Sequence, residues 1–138
     1  MANANRRQYF LVQVARKGSK NILNHRKYHY DRLPIMEKDR DYAKVKKDDY
    51  FVVYFAKRAI RFGKQLRMVY RVRDTDPGNH DWFLVEVKEL RPISFAEVRA
   101  KVGTGELSRV FENCGQQGFN IRVIREEDYE TVLSIASR

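Results

Sequence analysis

The segment that decides the fold is residues 42–72, which read YAKVKKDDYFVVYFAKRAIRFGKQLRMVYRV. Two runs within it, Tyr50–Ala56 and Gln65–Val72, are rich in β-branched and aromatic residues and are bounded by charged or turn-forming residues. That composition is typical of β-strands. The segment therefore predicts a hairpin at the centre of the domain, preceded by a polar turn at residues 46–49.

The connection between these two strands, residues 57–64, reads KRAIRFGK and contains four cations and one glycine. A hairpin that presents aromatic side chains beside such a loop suits a flat ligand joined to an anion. A nucleotide has both properties, which makes the hairpin a candidate binding element.

The chain has 138 residues, which fits one domain over residues 1–138, because domains most often contain about 100–150 residues. Residues 1–7 are expected to form a flexible tail. Cys114 is the sole cysteine, which excludes an internal disulfide and a multi-cysteine zinc site. No apolar run approaches the roughly 18–20 residues of a membrane span, and we recognise no secretory signal. We therefore expect a cytoplasmic protein.

The charge is unevenly distributed along the chain. Of a net charge of +10, residues 1–73 contribute 20 Lys or Arg against 6 Asp or Glu, and residues 74–138 contribute 8 against 12. The basic half is the expected partner-facing half, and nucleic acid is the commonest partner of such a patch. An anionic membrane surface is the competing interpretation. It is less favoured because the cations are spread over strands and loops instead of lining one amphipathic helix.

The N-terminal third predicts a strand, a short helix and a long loop. Tyr9–Ala15 is nearly continuous in apolar character, as in a central strand. Ser19 suits the N-cap of a helix over Lys20–His25. Arg26–Asp41 is polar and contains Pro34, which disfavours helix, so we expect a long loop with at most one helical turn.

The C-terminal half alternates strands and helices. Alternation predicts a strand over Asp81–Leu90, and a capping box at Ser94 and Glu97 predicts a helix over Phe95–Val102. Further elements are expected at three places: a helical turn over Glu106–Asn113, a strand over Phe119–Ile124 and a helix that begins near Glu126. Strands far apart in sequence, combined with short helices, indicate an α+β domain with a bent or barrel-like mixed sheet.

The order of these segments resembles the EVE/YTH branch of the PUA-like domains, over about residues 8–135. The first strand is led by aromatic residues and is followed by a helix start that contains a serine. A lysine-rich turn with Asp then precedes an apolar strand, and a return strand and a strand with a tryptophan follow. The matching segments are Tyr9–Val14, Val45–Tyr54, Tyr70–Val72, Trp82–Val87 and Phe111–Ile121.

The resemblance implies a small PUA-like barrel of about five to six strands that holds one flipped or unpaired base, often methylated, in an aromatic pocket. The chain resembles proteins that read a base and do not catalyse a reaction, and the resemblance implies no cofactor. Some prokaryotic members read the target for modification-dependent restriction systems. The resemblance therefore also implies a nuclease or an NTPase, either as a partner protein or as a fused domain. YTH cages use two or three tryptophans, whereas this chain has only Trp82. Tyrosine or phenylalanine must therefore supply the other walls.

Two sets of residues are the candidate site. The base pocket is expected between the Tyr28–Tyr30 loop and the central hairpin, with polar groups from two turns that could meet a base edge. Its candidate residues are Ser19, Asn21, Tyr28, Tyr30, Tyr54, Phe55, Trp82, Gln116 and Gln117. Phosphate contacts are expected from Lys57, Arg58, Arg61 and Lys64.

Three alternatives remain at the level of sequence. An RNA-binding PUA-like module in RNA modification or translation would use the same basic surface. A hydrolase resembling the ASCH group is the enzyme alternative, with His25 and His29 at helical i, i+4 spacing as candidate metal ligands, although no carboxylate motif completes that site. Cys114 has no evident activating partner, and Gly103-Thr104-Gly105 lacks the spacing of a nucleotide-phosphate loop. A protein-interaction adaptor would require an exposed apolar patch.

Overall fold

A computed structural model of the chain describes residues 7–14, 22–24, 29–34, 44–55, 64–76, 81–114 and 121–137. They form a mixed β-sheet, two α-helices and one 3₁₀ helix. The strands are β1 (Tyr9–Val14), β2 (Ile22–Asn24), β3 (His29–Pro34), β4 (Tyr50–Phe55), β5 (Gln65–Asp76), β6 (Asp81–Ser94) and β7 (Ile121–Ile124). The helices are α1 (Phe95–Gly103), the 3₁₀ helix (Arg109–Asn113) and α2 (Glu126–Ala136).

The sheet has the strand order β2-β3-β6-β5-β4-β1-β7. The pair of β1 with β4 is parallel, and Val14 lies opposite Phe55. The other described pairs are antiparallel. The predicted α+β class and mixed sheet are confirmed, with seven strands in place of five or six. No described pair joins β2 to β7, so the hydrogen-bonded sheet is not closed into a barrel.

The prediction for the N-terminal third was wrong in two places. Residues expected to be helical form β2, and part of the expected long loop forms β3, which pairs with β2 on one side and β6 on the other. β3 bonds to β6, which is about fifty residues away in sequence, and a local residue pattern does not record such a partner. His29 begins a strand and lies opposite Asn24, while His25, the other candidate metal ligand, is outside the described residues. Residues 1–6 of the expected tail are outside the described part, whereas Arg7 is held by a bond to the Asp48 carbonyl.

Alternate side chains of the central strands bury two separate clusters. On the helix side, Leu11, Val52, Tyr54 and Val69 pack with residues of α1, the 3₁₀ helix and α2. The opposite cluster contains Phe10, Phe51, Phe55 and Tyr70, among others. Phe10, Phe51 and Tyr70 are 0% exposed. The central strands are therefore buried on both faces, which explains their nearly continuous apolar sequences.

Chain connectivity requires the sheet to be strongly bent. Strand pairing aligns Val14 with Ser94 across the sheet, and Ile22 with Phe83. In a flat sheet, standard strand spacings would separate Val14 from Ile22 by roughly 43 Å. The eight chain steps between these residues span at most about 29 Å. The β2–β3 edge must therefore curl back toward the end of β1, and the three register shifts between β5 and β6 provide points of bending.

The carboxylate of Asp49 ties the beginning of β1 to the beginning of β4. It is 2% exposed and accepts hydrogen bonds from the Gln8 backbone N–H (2.9 Å), Gln8 Nε2 (2.9 Å) and the Lys46 backbone N–H (2.8 Å). The Tyr50 N–H adds a bond to the Gln8 carbonyl at 3.0 Å. These contacts fix the register in which the two parallel strands start.

A second buried carboxylate, that of Asp128, joins α2 to the turn before the 3₁₀ helix. It accepts from the Ser108 backbone N–H and from Ser108 Oγ, both at 2.9 Å, and from the Arg125 guanidinium. Burial opposes ionisation of Asp128, but the bonds from Arg125 and Ser108 outweigh it and hold the pKa of Asp128 below its usual value. The charged form is the one that the fold stabilises.

We expect Asp49→Asn to destabilise the protein by about 2–3 kcal/mol, because a buried carboxylate that accepts several N–H groups loses charge and gains an unmatched donor. Urea unfolding at neutral pH measures the change. Asp48→Asn is the matched control. Asp48 is an exposed neighbour whose pair with Arg71 is a surface ion pair, and Asn tolerates its φ of 76°. A change of about 0.5 kcal/mol or less is expected for the control, and equal effects of the two substitutions would contradict the role of Asp49.

Asp128→Asn should remove the part of the unfolding free energy that depends on ionisation of Asp128. Because the folded-state pKa of Asp128 is lowered, its contribution is complete above the unfolded value of about 3.9 and is lost as the pH falls through the lower folded value. The difference in unfolding free energy between the parent and the variant should thus be largest near neutral pH and shrink below about pH 4. Denaturant unfolding at several pH values tests this, with the exposed Glu127→Gln on the same turn as control. A pH-independent difference would exclude the charge-based explanation.

Candidate nucleic-acid interface

Five strand termini meet at one end of the sheet, which we call the Phe55 end. Because β1 and β4 are parallel, both finish there. The antiparallel partners place the beginning of β5 and the end of β6 beside them, with Gln65 opposite both Phe55 and Ser94. The beginning of β7 is also near, since Ile121 lies opposite Val12.

Most of the candidate residues lie on chain segments attached at the Phe55 end. Residues 15–21 continue from β1, residues 56–63 continue from β4, and residues 115–120 lead into β7. These segments contain Ser19, Asn21, Lys57, Arg58, Arg61, Gln116 and Gln117, which are outside the described residues. Their points of attachment are nevertheless close together in space. The topology thus brings together the strand ends from which three predicted binding segments, about 40 to 100 positions apart in sequence, continue.

Two of the predicted pocket rings are in the core. Tyr54 is 1% exposed and belongs to the helix-side cluster, while Phe55 is 2% exposed and belongs to the opposite cluster. Burial, with a smaller effect of Cys114, raises the pKa of Tyr54 to about 12. In this conformation neither ring presents a face to a ligand. Both rings therefore pack in the core beneath the Phe55 end.

Lys64 is the one predicted phosphate residue within the described part. It is exposed and has a φ of 64°. Its backbone N–H donates to the Phe55 carbonyl at 2.6 Å, and its carbonyl accepts from the Phe95 N–H at 2.9 Å. Lys64 is therefore fixed between the end of β4 and the beginning of α1, with its side chain directed away from the core.

The structure adds Phe95 and Arg99, which the sequence prediction did not include. Phe95 is half-buried, and its ring packs beside Tyr54 with centroids 6.3 Å apart. Lys64 Nζ lies 5.8 Å from the Phe95 ring centroid, and Cζ of Arg99 lies 5.6 Å from it. The i, i+4 spacing of Phe95 and Arg99 after the capping box is the signal that could have identified them.

Tyr30 and Trp82 lie on strands at the other side of the curled sheet. Tyr30 is in β3 opposite Leu23, and Trp82 is in β6 opposite Leu33 and Thr75. Tyr28 is outside the described residues. The required curl moves this edge toward the end of β1, whereas Trp82 lies near the end of β6 opposite to Ser94, so strand pairing alone does not place Tyr30 or Trp82 at the Phe55 end.

A different surface lies at the opposite end of β1. Tyr9 stacks on Tyr129 with centroids 4.7 Å apart, Tyr50 meets both rings edge-on, and the Arg7 guanidinium covers Tyr50 at 4.1 Å. Beside them is an open hollow of about 600 Å³ whose rim includes Glu126, Glu127 and Glu130. Arg7 and Arg125 also line this hollow, so three carboxylates and two guanidinium groups give it a mixed charge.

The described residues offer little for catalysis or metal binding. They contain no cluster of three or more His, Cys, Asp or Glu side chains that could hold a metal ion. Cys114 is buried, and burial raises the pKa of its thiol to about 12. The thiolate is therefore scarcely populated at neutral pH. None of the described helices has the length and hydropathy needed to cross a membrane.

The architecture defines the class of fold as PUA-like, with an α+β arrangement around an open, curled sheet. Three solved structures have the same fold. Human THYN1 in complex with DNA that contains 5-methylcytosine has a TM-score of 0.65 and 12% identity, and the match covers 95% of this chain and 98% of the THYN1 chain in that structure. Atu2648 of Agrobacterium tumefaciens has a TM-score of 0.61 and 15% identity, covering 94% and 92% of the two chains.

The third structure is Rpa0253 of Rhodopseudomonas palustris, with a TM-score of 0.61 and 12% identity, covering 94% of this chain and 93% of Rpa0253. No protein-family model matches the sequence, and no curated protein matches it. At these identities the likeness establishes the PUA-like fold and does not select a branch.

Proposed function

We propose that this protein is a non-catalytic nucleic-acid reader that accepts one flipped or unpaired base, methylated or not, at the Phe55 end of the sheet. The carrying observation is the convergence of strand termini there, since the cation-rich segment 56–63 and the segments with Ser19 and Gln116 are attached to those termini. A ligand with a flat ring and an attached phosphate would use both sets of groups.

Charge supports a polyanionic partner. The half of the chain that forms β1 to β5 has 20 cations against 6 acids up to residue 73. Lys64, which follows the cation-rich segment, is exposed, and hydrogen bonds fix its backbone. A cationic surface of this kind draws nucleic acid by releasing counterions from the phosphates.

The fold of THYN1 supports the choice of nucleic acid and of a modified base. That protein was solved with DNA that contains 5-methylcytosine, and it covers nearly the whole of this chain at a TM-score of 0.65. The likeness supports recognition of nucleic acid in general. The particular base, and the choice between DNA and RNA, are left to experiment.

The energetics of base capture restrict what the pocket must provide. Unstacking a base from a duplex costs a few kcal/mol, whereas stacking on an aromatic side chain returns about 1–3 kcal/mol per base. With Tyr54 and Phe55 in the core, Tyr28, Tyr30 and Trp82 become the proposed walls. Two such walls approximately offset extrusion, and phosphate contacts then supply the net affinity.

A panel of short oligonucleotides tests the proposal directly. We expect saturable binding at fixed salt, with a preference between methylated and unmethylated forms of one base, measured by fluorescence anisotropy on matched DNA and RNA. A preference for RNA would favour the RNA-binding alternative, because the 2′-hydroxyl discriminates at the site. Equal, weak binding of every oligonucleotide would contradict base reading. Incubation with RNA and a divalent metal, scored for cleavage, tests the hydrolase alternative.

Tyr30→Ala and Trp82→Ala should each reduce affinity for the preferred oligonucleotide by roughly 5- to 100-fold, as expected for loss of one stacking partner. The melting temperature without ligand serves as the control, and it should change little. Tyr129→Ala at the opposite end of β1 is the matched aromatic control for binding. A large fall in melting temperature for Trp82→Ala would instead assign that ring to the core.

Lys64→Gly should have opposite effects on stability and on binding. Glycine relieves a left-handed backbone conformation that costs other residues roughly 1 kcal/mol, so the variant should be as stable as the parent or more stable. Removal of the cation should reduce affinity for nucleic acid several-fold at physiological salt. Lys64→Asn, which also tolerates this backbone, separates the loss of charge from the backbone effect. Unchanged affinity in both variants would remove Lys64 from the interface.

A further inference from the structure

We infer that Lys64 and Arg99, both set against the Phe95 ring, form a two-cation clamp for the phosphates of the nucleotide next to the captured base. The inference rests on the proposed function and adds α1 to the binding surface. It assigns direct contacts to Lys64 and Arg99 and a positioning role to Phe95.

The geometry keeps the two cationic groups close together. Lys64 Nζ and Cζ of Arg99 lie 5.8 Å and 5.6 Å from the centroid of the same ring. They are therefore at most about 11 Å apart. A nucleic-acid strand carries one charge about every 3.4 Å along its axis, so two cations at this separation can face neighbouring phosphates of one strand.

Neither Lys64 nor Arg99 has a carboxylate partner among the described ion pairs. Arg67, Arg71, Lys101, Arg109 and Arg125 each have a carboxylate within 4 Å. Lys64 and Arg99 are exposed and make contacts with the Phe95 ring instead. A guanidinium or ammonium that rests on a ring keeps its N–H donors for an anion. The pair is thus available to phosphate in a way that the ion-paired cations are not.

The framework around Phe95 holds the pair in place. The Phe95 N–H donates to the Lys64 carbonyl at 2.9 Å, so the beginning of α1 is bonded directly to the residue that follows the cation-rich segment. Ser94 Oγ accepts from the Glu97 N–H at 3.1 Å and fixes the first turn, while Val98 is 0% exposed and anchors the helix in the core. Arg99, one turn after Phe95, therefore places a second cation on α1 beside Lys64.

The test is the salt dependence of affinity for one duplex and one single-stranded oligonucleotide, measured for the parent, Arg99→Gln and Arg109→Gln. Affinity falls with salt, and the plot of log affinity against log salt has a negative slope. Loss of one phosphate contact should reduce the magnitude of that slope by about 0.9 on duplex and about 0.7 on single strand. Arg99→Gln should show this change. Arg109→Gln, a matched control whose guanidinium is 89% exposed and paired with Glu112, should retain the parent slope.

Two further variants separate contact from positioning. Combining Lys64→Gly with Arg99→Gln should reduce the magnitude of the slope by roughly twice the single-variant change. Phe95→Leu keeps an apolar side chain against Tyr54 but removes the ring face, so it should reduce affinity several-fold at each salt concentration and change the slope less than Arg99→Gln does. Its melting temperature controls for loss of folding.

The outcomes distinguish this inference from the proposed function. If Arg99→Gln and Arg109→Gln give the same slope while the parent still discriminates between bases, the clamp is wrong and the reader stands. If Arg99→Gln changes the preference between methylated and unmethylated bases, Arg99 acts in the pocket and the clamp is likewise overturned. If the parent binds no nucleic acid, both proposals fail.

Discussion

The parallel pairing of β1 with β4 is the constraint on which the arrangement of the Phe55 end depends. Antiparallel neighbours would have sent the chain out of β1 and β4 at opposite ends of the sheet. Because the two strands run in the same direction, the segments that follow them leave at the same place. The Asp49 carboxylate and Gln8 hold that register at the far end of β1, so hydrogen bonds to a buried carboxylate help to set which strand ends meet at the Phe55 end.

The second constraint is the reach of a polypeptide. The short connection from Val14 to Ile22 is compatible with the strand pairing only if the sheet curls. Curling explains how the cluster with Phe10 and Phe51 is buried on the face that lacks the described helices. It also means that an unclosed sheet performs the same role as a barrel, because it encloses a core and brings distant edges together.

The sequence predicted the parts of the fold that rest on local signals. The central hairpin, the Ser94 cap and the acidic first turn of α2 were found because periodicity and capping are properties of neighbouring residues. The strands β2 and β3 were missed because their hydrogen bonds come from each other and from β6, and Pro34 suggested a loop. In the candidate site, Lys64 was identified from charge. The burial of Phe55 and the contact of Arg99 with Phe95 depend on tertiary packing, which no local pattern records.

The burial of Cys114 has a practical consequence for studying this molecule. It is the sole cysteine of the chain, it is 2% exposed, and its raised pKa suppresses the reactive thiolate. A thiol introduced on the surface would thus be the only readily alkylated one. Placed at Val123, which is 38% exposed and lies opposite Phe10 near the beginning of β1, it would carry a fluorophore at a distance from the Phe55 end.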